Sequence, residues 1–242
     1  MPHAVETRLG GGADVIDDLA RFGEVLAVVA HPDDESFGLG ALLAALGANG
    51  AETRVLCFTH GEASTLGTSA ELGLVRHREL LAAAQILGVT RVRLADYPDG
   101  GLDDVPPGLL DAEIETDLDN AALLVVFEPG GVTGHPDHRA ATAAAERVAD
   151  RHGLPVLEWG VAPDIAATLN AELGTSFVPF DGLDVIVDRS RQLAAIACHE
   201  SQARDNPVLI RRLQLQGTFE RIRLCRAGPK APGPSTGATV GP

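Results

Sequence analysis

The sequence predicts an α/β fold built on a mostly parallel sheet with helices on both faces. Three observations carry that prediction. Runs of β-branched and other apolar residues alternate with Ala/Leu-rich helical stretches. The runs are short and apolar enough to be strands buried on both faces. Two of them lead directly into polar loops rich in His and Asp, the position where open parallel sheets place their ligands.

Four strand–helix units are readable in order. The first strand, Glu24 to Ala30, is an unbroken apolar run after its leading Glu, and the helix Ser36 to Leu46 follows, closed by Gly47. The second strand, Thr53 to Phe58, precedes a helix from Ala70 to Leu87 that ends at Gly88. Arg91 to Ala95 with Pro107 to Leu118, and Leu123 to Phe127 with His138 to Arg151, make the third and fourth units. Beyond Val156 to Gly160 the pattern loosens, giving a helix from Asp164 to Leu173, a strand from Leu183 to Val187 and a helix from Arg189 to Glu200. The whole reads as a Rossmann-like arrangement. No Pro- or Ser-rich linker divides the body, so one domain is expected over residues 1–226. A Gly/Pro-rich, core-poor segment, 227–242, is expected to be a flexible tail.

Composition narrows the function classes. Hydrophobic residues are 45 % of the 242, which fits a globular protein, and no apolar run approaches the roughly 20 residues a membrane span needs. Met1 to Gly12 lacks a charged segment followed by an apolar one, so cytoplasmic residence is the expectation. Cys57, Cys198 and Cys225 have no CxxC spacing and predict neither a disulfide framework nor a thiolate metal site. A formal charge of -15 disfavours a polyphosphate partner, so no nucleic acid is expected, and no membrane. The oligomeric state is left open, a homo-oligomer included.

The chemistry is carried by two clusters. His31-Pro32-Asp33-Asp34-Glu35 follows the first strand, with Pro32 stiffening a turn that aims neighbouring side chains differently. Asp34 can join His31 at a metal while Asp33 stands free beside it. Gly134-His135-Pro136-Asp137-His138 follows the fourth strand at the equivalent place, so both loops open on one sheet edge and His135 and His138 can converge with the first cluster. An Asp-Asp pair at a helix start is ordinarily a cap, but two His/Asp clusters after two strands are hard to explain that way. Two imidazoles and one carboxylate form a catalytic zinc set with a coordination position left open, and such a site activates water and polarises an amide oxygen. Asp33 can then take the water's proton, and His135 can serve the oxyanion, the leaving amine, or both in turn.

These residues resemble the LmbE-like, or PIG-L, family of de-N-acetylases, marked by His-Pro-Asp-Asp after the first strand and a later His-Pro-Asp-His. The resemblance implies that His31, Asp34 and His138 bind the metal, that Asp33 is the general base and that His135 is the second catalytic histidine. Thr59-His60-Gly61-Glu62, Arg76-His77-Arg78-Glu79-Leu80, Tyr97-Pro98-Asp99-Gly100 and His199-Glu200-Ser201-Gln202 extend it from about Val25 to Gln202. It further implies that Arg76 and Asp99 contact substrate hydroxyls, with His199 and Gln202 lining the same mouth. The implied reaction is zinc-dependent hydrolysis of the N-acetyl group of an N-acetylglucosamine conjugate, with Fe(II) or another divalent ion able to fill the same ligands. A small-molecule amino-sugar conjugate is the expected partner. One position departs from the pattern: relatives in the mycothiol pathway carry Tyr two residues before the first His of His-Pro-Asp-His, where this chain has Thr133. That shifts weight toward other conjugates, secondary-metabolite glycosides among them.

The rivals are a non-haem Fe(II) oxygenase using the same His/His/Asp ligands, a hydrolase of another amide such as a thiol conjugate, and a nucleotide-binding module. The last rests on Gly38-Leu39-Gly40, whose glycines fall inside the predicted helix and whose third partner is replaced by Leu43.

Overall fold

Successive strand residues point to opposite faces of a sheet, and here both faces are buried. Val25, Ala27 and Val29 join one apolar cluster with Val55, Cys57, Val125, Phe127 and Trp159. Leu26, Val28 and Ala30 join another with Leu56, Phe58, Leu124 and Val126. The two central strands, Val25–Val29 and Leu123–Phe127, therefore carry apolar side chains at every position and read as unbroken runs.

The structure, a computed structural model, describes residues 13–66 and 71–225. In chain order its elements are α1 (Ala13–Ala20), β1 (Glu24–Val29), α2 (Asp34–Phe37), α3 (Gly40–Ala48), β2 (Glu52–Thr59), α4 (Leu72–Leu87), β3 (Arg91–Tyr97), α5 (Pro107–Leu118) and β4 (Leu123–Phe127). There follow α6 (Pro136–His152), β5 (Val156–Gly160), α7 (Pro163–Leu173), β6 (Leu183–Ile186), α8 (Ser190–Cys198), α9 (Glu200–Ala203), α10 (Pro207–Gln216) and β7 (Phe219–Cys225). They build a seven-stranded sheet in the order β3-β2-β1-β4-β5-β7-β6. The first five strands in that order are parallel, whereas β7 runs antiparallel to both β5 and β6. α1, α3 and α7 cover one face, α5 and α6 the other.

Strand order reverses between β1 and β4, which pair in register with Val25 beside Leu123 and Ala27 beside Val125. The loops leaving these two strands open into the crevice where sheets of this topology bind ligands.

Several expectations change. The helix expected from Ser36 to Leu46 is two helices broken at Gly38 and Leu39. A Cβ on Gly38 would stand 2.3 Å from Phe127 Cε1, so the chain passes the aromatic pair Phe127 and Trp159 at a distance only glycine permits. The helix expected from Arg189 to Glu200 ends at Cys198, and His199 (φ −85°, ψ 55°) separates it from α9. α1, α10 and β7 lie outside the elements the sequence predicts. The helix expected from Ala70 is described from Leu72 onward, and Ala70 itself lies outside the described residues, as do residues 1–12 and the expected tail 227–242. No helix of the described residues is long and apolar enough to cross a membrane. Cys57, Cys198 and Cys225 carry free thiols.

Candidate active site

β1 ends at Val29 and delivers His31, Asp33 and Asp34; β4 ends at Phe127 and, through a Gly-rich loop, delivers His135, Asp137 and His138 on the first turn of α6. Glu128 fixes that loop by accepting the backbone N–H groups of Gly130 and Val132, both at 2.5 Å. Val132 is held there at φ 64°, a costly geometry for a β-branched residue and one that marks over-determined, functional loops. Pro136 opens α6 where no N–H is needed, and His135 Nδ1 caps it by accepting Asp137 N–H at 3.2 Å.

His31 Nδ1 lies 3.2 Å from His138 Nε2 and 3.7 Å from Asp34 Oδ2, and His138 Nε2 lies 3.2 Å from Asp34 Oδ1. The opposite nitrogens face acceptors. His31 Nε2 sits 3.0 Å from Asp99 Oδ1 and 3.1 Å from Asp137 Oδ2, and His138 Nδ1 is 3.2 Å from the carbonyl of Gly131. An imidazole whose far N–H is held by a carboxylate or carbonyl presents its near lone pair in a fixed direction, the usual support of a metal-binding histidine. Asp34 is aimed by the N–H groups of Ala30 (3.1 Å) and His31 (2.9 Å) on Oδ2.

Among the described residues, two donor groups are compact enough to share a cation, His31/Asp34/His138 and His31/His135/Asp137. They are not equivalent. Asp137 already accepts from Gly100 N–H at 2.7 Å, Leu102 N–H at 3.0 Å and His31, whereas the first group has convergent donor atoms facing one another. Three carboxylates surround His31, and the chemistry of this donor set fits a divalent cation in the first group.

The electrostatics agree. Burial alone would lower the His31 pKa, but the hydrogen bonds to Asp137 and Asp99 and the charge of Asp34 push it up to about 10. Burial opposes charge on Asp34 too, yet the imidazoles of His138 and His31 hold its carboxyl well below the usual range. Asp33, next in sequence, goes the other way: burial pushes its pKa up to about 6, with Arg76 opposing and Asp34 adding to the rise. Adjacent carboxyls driven apart in this way are suited to different tasks. His135 stands with its ring centroid 4.9 Å from that of His31, and burial with the neighbouring imidazoles lowers its pKa.

The remaining site candidates are placed less as expected. Arg76 is 3 % exposed; its Nη1 donates to Gly61 O at 2.7 Å, and its Nη2 donates to Pro32 O and meets Asp33 Oδ2 at 3.1 Å. Asp99 faces His31 with one oxygen and accepts Ala63 N–H at 2.8 Å with the other. His199 is fully buried, 2.7 Å from Glu35 Oε1, and Gln202 is buried with Ser64 Oγ 2.7 Å from its Oε1. His199 thus lies beneath the site rather than at its mouth. From the sequence, Asp137 and Glu35 receive no role, although both stand inside the two His/Asp clusters. A residue adjacent to a ligand on a first helical turn projects to a different side, which was the available signal.

Beside Asp34 and His138 opens a cavity of about 160 Å³, walled by Phe37, Phe127, Val132, Trp159 and Phe177. It is an apolar recess next to the candidate ligands.

Comparison with known proteins follows the same direction. Residues 26–149, more than half of the chain, match the family described as PIG-L: GlcNAc-PI de-N-acetylase. A Bacillus anthracis protein named probable N-acetyl-alpha-D-glucosaminyl L-malate deacetylase 2 is 28% identical over 216 residues, covering 85% of this chain and 92% of that protein. A Mycolicibacterium gilvum protein named 1D-myo-inositol 2-acetamido-2-deoxy-alpha-D-glucopyranoside deacetylase is 32% identical over 173 residues, 59% of this chain and 60% of its own length. Among solved structures, that of an A40926 pseudoaglycone deacetylase superposes with a TM-score of 0.67 at 21% identity, covering 86% of this chain and 99% of that one.

Proposed function

Since the chain belongs to the PIG-L (GlcNAc-PI de-N-acetylase) family, whose members are deacetylases, we propose that it hydrolyses the N-acetyl amide of an N-acetylglucosamine conjugate in a zinc-dependent reaction. The observation that carries the reading is the meeting of His31, Asp34 and His138 at the β1/β4 crevice with Asp33 beside them. When bound by these three residues, a divalent ion supplies polarisation of the amide oxygen and acidification of water. The chain's own residues do the rest.

Asp33 takes the proton of the attacking water. Its burial suits it to hold and pass on a proton near neutrality. His135, partly exposed at the N-terminus of α6, is positioned to donate to the oxyanion or to the departing amine. Asp99 and Asp137 keep His31 turned toward Asp34 and His138. The apolar recess at Phe127 and Trp159 offers the acyl methyl a place away from water. Both relatives named above act, by their names, on N-acetylglucosamine derivatives, which supports the substrate class. An iron(II) oxygenase loses its ground, because the chain belongs to a deacetylase family.

Acetate release from a panel of N-acetylglucosamine conjugates, with and without chelator, tests the reading. Asp33→Asn is expected to keep its metal and lose turnover by orders of magnitude; unchanged turnover removes Asp33 from the mechanism, and activity undiminished by chelation removes the metal.

A further inference from the structure

Asp33 has an unusual backbone. Its φ is 126° and its ψ −24°, a region that side-chain-bearing residues avoid and that persists only where neighbours over-determine it. The neighbours can be named. Arg76 reaches from α4 to bond Pro32 O immediately before the strained residue and Asp33 Oδ2 on its side chain, and braces itself on Gly61 O. On the other side, Glu35 Oε2 accepts Asp33 N–H at 3.0 Å. Glu35 is in turn fixed at Oε1 by His199 Nε2 (2.7 Å) and Ser36 Oγ (2.5 Å). Glu35, His199 and Ser36 are fully buried. The carbonyl of Asp33 is also tied, accepting from Ser36 N–H at 3.0 Å and Phe37 N–H at 2.6 Å.

We infer that Arg76 and the buried Glu35–His199 pair form a clamp that holds the strained turn and aims the Asp33 carboxylate, so that Arg76 is a positioning residue and not a contact to substrate hydroxyls. This rests on the proposed role of Asp33 as base. Two features set it apart from the alternative. Both Nη atoms of Arg76 have partners inside the fold, its Nε has none but is buried, and the residue is only 3 % exposed, which leaves the guanidinium little surface to offer a sugar. The clamp also arrives from three distant places, α4, the β2 loop and the α8/α9 junction, all acting on one residue that is not among the candidate ligands.

The strain gives the clamp its purpose. A relaxed turn would swing the Asp33 side chain away from the metal-binding residues, and a misplacement of about 1 Å is enough to cost on the order of 10²-fold in rate. Asp34 is aimed independently by the N–H groups of Ala30 and His31, so loosening the clamp should leave metal binding intact.

The test uses the full chain loaded with zinc and an N-acetylglucosamine glycoside as the probe, with kcat, KM, metal content and thermal unfolding measured together. Arg76→Gln removes the fork. Gly61→Ala keeps the charge but places a Cβ 2.1 Å from Arg76 Nη1, displacing the guanidinium. Both variants are expected to lose kcat by about 10²-fold with KM and metal content close to wild type. A raised KM with kcat retained in Arg76→Gln would return Arg76 to the substrate and overturn the inference. So would failure of both variants to fold, which would assign the contacts to stability. The reading of function fails separately, through a wild type inert toward every conjugate or an Asp33→Asn of undiminished activity.

Discussion

Asp137→Asn should weaken metal binding although Asp137 lies outside the proposed ligand set. The carboxylate receives three donors on two oxygens: Gly100 N–H at 2.7 Å and His31 Nε2 at 3.1 Å on Oδ2, and Leu102 N–H at 3.0 Å on Oδ1. An amide offers one acceptor and one donor. Turned with its oxygen toward His31 and Gly100, it sets its NH₂ against Leu102 N–H; turned the other way it loses two partners. The first orientation is the cheaper, and it forfeits one hydrogen bond to a charged group, worth about 1.5–3 kcal/mol. It also replaces a full charge behind His31 with a dipole, a change that typically costs 10- to 100-fold in metal affinity, or about 1.4–2.7 kcal/mol. Competition with a chromophoric chelator at neutral pH measures the zinc affinity, and thermal unfolding in excess chelator measures the stability of the metal-free protein. Both should fall. An unchanged zinc affinity would refute the argument that His31 is held for the metal by the carboxylates behind it.

Two further outcomes follow from the same geometry. In the metal-free protein the His31 pKa is raised from 6.5 to about 10, so its proton contributes stability that is fully present below 6.5 and is lost as pH rises through about 10. Ligation needs the neutral ring; zinc uptake at neutral pH should therefore release a proton and tighten as pH rises, and calorimetry in buffers of different ionisation enthalpy showing no release would contradict the assignment of His31. Gly38→Ala puts a Cβ 2.3 Å from Phe127 Cε1 and 2.7 Å from Cζ, an overpacking of about 1–3 kcal/mol that should lower Tm by roughly 2–12 °C; a Tm equal to wild type in a scanning experiment would show that the aromatic pair gives way freely.

The parts of this protein legible in its sequence are those whose chemistry is local. Val25 to Val29 and Leu123 to Phe127 are apolar at every position because both faces of a central parallel strand are buried. Gly88 closes α4 in a left-handed conformation that its neighbours would resist, and its place in the sequence marks the helix end. His31, Asp34 and His138 could be singled out because ligand chemistry is a property of residue type and because two loops after parallel strands open on one edge.

β7 was different: Phe219 to Cys225 mixes Glu220, Arg221 and Arg223 with apolar residues, and its strand character comes from pairing with β5 and β6. Glu220 is tolerated inside because Trp159 Nε1 donates to it at 2.6 Å and Arg189 meets it there. The resemblance implies that Arg76 contacts substrate, whereas the carbonyls of Pro32 and Gly61 and the carboxylate of Asp33, which surround it only in the folded chain, make its burial possible. The sequence alone determined which strands run parallel at the centre and which side chains could bind a metal, since burial pattern and donor chemistry are written residue by residue. Which nitrogen of His31 turns toward Asp34, and that Asp33 is held under strain, was decided by tertiary contacts: the fixing groups, Asp99, Asp137, Arg76 and Glu35–His199, come mostly from segments remote in the chain, and their directions exist only once those segments have packed.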